Sequence, residues 1–96
     1  MLYEKKIDSF PQLISDLDVL DQDAGIRAIG KFKAKKCFVF VTRSLNGFTS
    51  ILCSMKRAGK ESIPDKRLLA KEFENLQDLE KFLTEVVAKP LVAFGY

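Results

Sequence analysis

Cys37-Phe38-Val39-Phe40-Val41-Thr42-Arg43 and Phe48-Thr49-Ser50-Ile51-Leu52-Cys53-Ser54-Met55-Lys56 decide the fold. Both stretches are rich in β-branched and aromatic residues, and Asn46-Gly47 stands between them. A strand pair closed by Asn-Gly is a strong hairpin signal, because both residues tolerate the positive φ of a two-residue turn. The spacing predicts an antiparallel sheet grown outward from this hairpin.

Residues 26–36 fit two patterns. Ile26, Ile29 and Phe32 match a helical stripe, but Gly25 and Gly30 oppose a helix there. As a strand the segment alternates, with Arg27, Lys31, Lys33 and Lys35 on one side and Ala28, Gly30, Phe32 and Ala34 on the other. The strand is the expectation. Residues 57–66 read as a polar loop carrying Gly59 and Pro64, and residues 67–73 as a fourth strand.

A helix is expected on each side of the sheet in sequence. In residues 9–20, Phe10, Leu13, Ile14, Leu17 and Leu20 fall on one face. Ser9 with Gln12 fits a capping box, Pro11 suits the first turn, and residues 21–25 supply turn chemistry that stops the helix. Asn75 caps the second helix with Asp78 at its third position, and Leu76, Leu79, Phe82, Leu83 and Val86 form its stripe. Pro90 ends it, leaving an apolar tail, residues 91–96, to add an edge strand or dock on a partner. The expectation is a single α+β domain spanning residues 1–96. Its antiparallel four-stranded sheet carries flanking helices on one face, in the order α-β-β-β-β-α.

Composition narrows the chemistry. Histidine is absent and the cysteines are Cys37 and Cys53, which removes Ser-His and Cys-His catalysis and leaves a zinc site short of ligands. The two thiols read as small buried hydrophobes. Glu61 and Asp65 stand beside Lys60 and Lys66 and read as surface pairs, and Ala58-Gly59-Lys60 lacks the glycine spacing of a phosphate loop. No enzyme, no metal and no cofactor is the expectation. The apolar runs are too short to span a membrane, and no apolar stretch follows the charges of residues 1–6. An intracellular protein, cytoplasmic or of the nucleoid or nucleus, is expected.

Charge points to a partner. Twelve of the sixteen basic residues lie between Ile26 and Lys71, against two acids, Glu61 and Asp65. That block carries +10, residues 1–25 carry −4 and residues 72–96 carry −3. A positive field concentrated in one region attracts polyanions.

A turn at Lys35-Lys36 places Lys33 opposite Phe38 and Lys31 opposite Phe40. A turn at Asn46-Gly47 places Phe40 opposite Cys53 and Phe38 opposite Met55. Opposed residues share a sheet face. One face then holds Phe32, Val39, Val41, Leu52 and Phe48 as a core under the helices. The other holds Lys31, Lys33, Phe38, Phe40, Thr42, Ile51 and Met55. Cations interleaved with flat rings suit single-stranded nucleic acid, whose phosphates need charge and whose unstacked bases need a platform. The expected contacts are Lys31, Lys33, Lys35, Lys36, Arg43, Lys56 and Arg57 to phosphates, with Phe38 and Phe40 under bases. The other reading of the same residues is a protein-interaction or homodimerisation face without a nucleic-acid role.

The segment from Ile29-Gly30-Lys31 to Val87 resembles the positive-cofactor-four family of single-stranded-DNA-binding coactivators. The shared features are the Ile-Gly-Lys entry, a strand ending in Arg (Phe38-Val39-Phe40-Val41-Thr42-Arg43), and a glycine before the next strand. A polar loop with Gly and Pro, a short strand and a helix complete the order. The resemblance implies a homodimer whose curved sheet binds unpaired strands, with DNA favoured. Lys31, Arg43, Lys56 and Arg57 are similar to that family's basic strand residues. The N-terminal helix and the lack of tryptophan depart from the pattern. The chain is similar in the same degree to archaeal single-stranded-DNA-binding proteins that pair a four-stranded sheet with helices. The apolar tail also suggests a homodimer.

Overall fold

A computed structural model describes residues 5–22 and 24–95. Residues 1–4 of the N-terminal stretch, Asp23 of the expected turn and Tyr96 of the tail lie outside them. The elements in chain order are β1 (Lys5–Ile7), α1 (Phe10–Asp18), β2 (Gly25–Phe32), β3 (Lys35–Ser44), β4 (Gly47–Ala58), β5 (Glu61–Phe73), α2 (Leu76–Val86) and β6 (Ala93–Gly95). They build one six-stranded antiparallel sheet in the order β1-β6-β2-β3-β4-β5.

This corrects the expected four-stranded sheet. The extra strands are β1 and β6, which join β2 on the side away from β3. Each has three residues, less than two periods of alternation, so neither leaves a pattern to read. The tail does not end as an edge strand, because β6 lies inside the sheet between β1 and β2. Its approach is bonded too: Ile29 donates its N–H to the Val92 carbonyl (2.9 Å) and its carbonyl accepts from Ala88 N (3.0 Å). The apolar tail from which the homodimer was argued is therefore engaged within the chain.

The loop expected at residues 57–66 is instead a paired arm. β4 and β5 stay in register from Met55↔Pro64 to Ala58↔Glu61, beyond irregularities at Leu52/Cys53 and Cys53/Met55. At that break the Ser54 hydroxyl accepts the Lys66 backbone N–H at 3.0 Å, which satisfies a donor that the interrupted ladder leaves over. The arm turns at Gly59, whose φ of 65° suits glycine.

Both turns used to guess the register fall elsewhere. The β2–β3 turn is Lys33-Ala34, with φ of 52° and 66°, the positive pair of a tight hairpin turn on two non-glycine residues. The β3–β4 turn is Leu45-Asn46, and Gly47 begins β4 opposite Ser44. Gly47 answers to packing rather than to the turn: a Cβ there would stand 1.9 Å from the Phe73 carbonyl oxygen. Gly30 does the same under α2, where a Cβ would lie 2.5 Å from the Val86 carbonyl oxygen.

Both helices cover one face. Leu13 and Leu17 of α1 and Leu79 and Leu83 of α2 join Ile26, Val39, Val41, Leu52 and Phe48 in one buried cluster. Ser9 caps α1 through Gln12 N (3.3 Å), but the Gln12 side chain bonds Asp16 (2.8 Å), so the capping box is half made. Asn75 caps α2 through Asp78 N at 2.9 Å. Among the described residues no helix lies on the opposite face of the sheet.

Candidate nucleic-acid interface

The bare face is built in rows across the strands. Lys6, Phe94, Arg27, Phe40, Ile51 and Ala70 are successive partners from β1 to β5. Cation and ring alternate over the first four of these positions. In the next row stand Ile29, Phe38, Cys53 and Arg67. The Arg27 guanidinium lies 5.9 Å from the Phe38 ring centroid and 5.7 Å from that of Phe94, within cation–π reach of both rings. Phe38 and Phe40 pack at 6.0 Å on the same strand.

Charge follows the layers. Strands β2, β3 and β4 carry Arg27, Lys31, Lys35, Lys36, Arg43, Lys56 and Arg57 and no acid. The helices carry Asp16, Asp18, Asp78, Glu80 and Glu85 against Lys81. In an antiparallel meander alternate turns share an end, so the β2–β3 and β4–β5 tips lie together at one end of the sheet. Those tips expose Lys31, Lys33, Lys35, Lys36, Lys56, Arg57, Lys60 and Lys66, with Glu61 and Asp65 among them. The other end holds the Leu45-Asn46 turn and the start of α2.

The nine residues expected at the site divide into three groups. Lys31, Lys36, Phe38, Phe40 and Arg57 occupy bare-face positions, and Lys33 sits in the β2–β3 turn. Lys35, Arg43 and Lys56 take the other parity, toward the helix layer, and the Arg43 guanidinium lies 4.6 Å from the Phe48 centroid. Phe38 is only 5% exposed, so it supports Arg27 rather than offering a platform. Phe40 and Phe94 keep part of their surfaces open.

Sequence reasoning missed Phe94, Arg27, Arg67 and Lys6 as members of this face. Arg27 had the right alternation with Lys31, which is the signal that could have found it. Phe94 depends on the placement of β6, for which no local pattern exists.

Between the two basic tips lies a cleft of about 580 Å³ lined by Arg27, Ile29, Lys36, Phe38, Met55, Glu61, Ser62, Val92 and Phe94, among others. Ser62 pairs with Arg57 on the bare-face parity, while Glu61 pairs with Ala58 on the other and reaches the cleft from the end of the arm. A second, apolar cleft of about 440 Å³ lies on the helix side between Phe10, Leu83, Val87 and Leu91. Among the described residues no group of His, Cys, Asp or Glu is placed to hold a metal, and no helix is long and apolar enough to cross a membrane. Cys37 is buried on the covered face and Cys53 faces the other way; both are free thiols. Burial, and then the neighbouring Cys53, push the Cys37 thiol pKa up.

Comparison with protein-family models, with curated proteins and with solved structures finds no match. The resemblance drawn above thus rests on the residues quoted for it.

Proposed function

We propose that the chain is a non-catalytic binder of single-stranded nucleic acid, with DNA favoured, using the bare sheet face and its basic end. The observation that carries this is the gathering of eight exposed cations on two adjacent hairpin tips. Phosphates run along those tips, and bases turn inward onto Phe40 and Phe94, which flank Arg27 two strands apart, about 10 Å. The acidic helix layer behind the sheet keeps the polyanion on one side. A duplex reader would more often carry a basic recognition helix, and both helices here are acidic outside.

The test is binding of a labelled oligothymidylate, its RNA counterpart and a duplex at several salt concentrations. Affinity should fall with salt at a log–log slope of about −0.7 per neutralised phosphate for single strands. Lys36→Ala should flatten the slope. Phe40→Ala should weaken binding by roughly 1–3 kcal/mol at every salt concentration and leave the slope unchanged, because stacking releases no counterion. Absence of single-strand binding at low salt rejects the proposal.

One observation favours a second reading, a protein-interaction or homodimerisation module. β5 is a thirteen-residue strand at the sheet edge, with Leu68 40% exposed. Pro64 and the charges of Asp65, Lys66 and Arg67 blunt that edge, as monomeric sheets do. Under this reading Leu68→Lys changes the sedimentation coefficient, and nucleic acid does not bind.

A further inference from the structure

The cleft between the tips has a composition that charge attraction to phosphate does not explain. A pure phosphate track gains nothing from a carboxylate, yet Glu61 lines this cleft beside Ser62, at the most basic end of the molecule. The same cleft is lined by Arg27 and by apolar residues that include Ile29, Met55 and Phe94. At about 580 Å³ the space exceeds what one nucleobase needs, and exposed Lys36 is among its lining residues.

We infer that the cleft is a base pocket that takes one nucleotide extruded from the bound strand and prefers guanine. The inference rests on the single-strand reading above. The apolar lining receives the face of the base, and Lys36 meets its phosphate. A carboxylate only accepts hydrogen bonds, and its two oxygens suit two neighbouring N–H donors. Guanine presents such a pair, N1–H and the N2 amino group, on its pairing edge. Thymine presents one N–H between two carbonyls, which a carboxylate repels. Cytosine and adenine present an amino group beside an unprotonated ring nitrogen, which repels the second carboxylate oxygen.

The experiment measures affinity for an oligothymidylate carrying a single central dG, dA, dC or deoxyinosine. One dG should tighten binding at least about fivefold over the plain thymidylate, as a bidentate base contact does. dA and dC should tighten it less, and deoxyinosine, which lacks the N2 amino group, should lose most of the gain. Glu61→Gln should abolish the preference for dG, so that the dG and plain thymidylate strands bind alike; Glu61 is exposed on the arm, so the fold tolerates the change. Thymidylate binding with no dependence on the inserted base overturns the base pocket and leaves the broader reading standing. A dG preference that survives Glu61→Gln overturns it as well. Failure of every strand to bind rejects the single-strand reading itself.

Discussion

The covered and bare faces of this sheet are spelled by alternate residues of the same strands, and they use aromatic and charged side chains differently. On the covered face Val39 and Leu52 are fully buried, in one cluster with Leu79 and Leu83. On the bare face no helix of the described residues covers the buried ring of Phe38; its neighbours include an arginine and another phenylalanine. Burial on the first face is a matter of layers, whereas on the second it comes from side chains of the face packing on one another. Stability should therefore reside mainly in the first, and partner chemistry in the second.

The largest effect tests that division. Leu52→Ala should cost about 2–5 kcal/mol, as truncation of a fully buried leucine does. Phe40→Ala, partly exposed on the bare face, should cost roughly 1 kcal/mol in the same urea titration. Equal losses would mean that the bare face is a second core rather than a surface.

The faces were legible even though the register was not. Phe40 pairs with Ile51 instead of Cys53, a slip of two residues, and Phe38 pairs with Ile29 instead of Lys33, a slip of four. Even slips preserve the face of every side chain, because strand alternation has a period of two. Val39 and Leu52 thus fell on the core side and Phe40 on the other, despite both turns being misplaced. The turns misled because glycine has two uses. Gly47 was read for its backbone freedom, while its position is set by the Phe73 carbonyl that crosses it. The strand count failed for a different reason: β1 and β6 owe their existence to partners far off in sequence. Arg43 and Lys56 join the expected site through their charge, their place near the hairpin ends and the family resemblance, but their parity places them on the other face.

The two glycines separate packing from conformation. Gly47→Ala should destabilise by about 1–3 kcal/mol, because the new methyl group meets backbone that cannot swing away. Gly59→Ala, at a positive φ with open space around it, should cost about 1–2 kcal/mol, since only the left-handed conformation is penalised. Thermal unfolding of both variants ranks the two causes.

A smaller effect of opposite sign is expected within the core. Ser50 is fully buried on the covered face, opposite Val41, and its hydroxyl has no hydrogen-bond partner among the described residues. An unsatisfied buried hydroxyl costs its desolvation without return, so Ser50→Ala should stabilise the fold by about 1 kcal/mol. A loss of stability there would show that the hydroxyl is paired in solution.

The cysteines place the same side chain on each face and so allow the finest comparison. Cys37 is fully buried beneath the helices, while Cys53, opposite Phe38, is partly exposed. A thiol reagent should label one site in the folded protein, Cys53, and both sites in denaturant. The ionised form of Cys37 is disfavoured in the folded state, first by burial and then by Cys53, which raises its pKa above the ordinary value of 9.0. A raised folded pKa means that the folded state holds the proton more tightly. The corresponding stability is fully present below the ordinary value and is lost as pH rises through it toward the folded value. Unfolding free energy should therefore fall more steeply above about pH 9 in the native sequence than in Cys37→Ala. Cys53→Ala should keep most of that fall, because burial is the larger cause. Identical pH profiles for the native sequence and Cys37→Ala would mean that water reaches the covered face at this point and that the helix layer seals it less well than its packing implies.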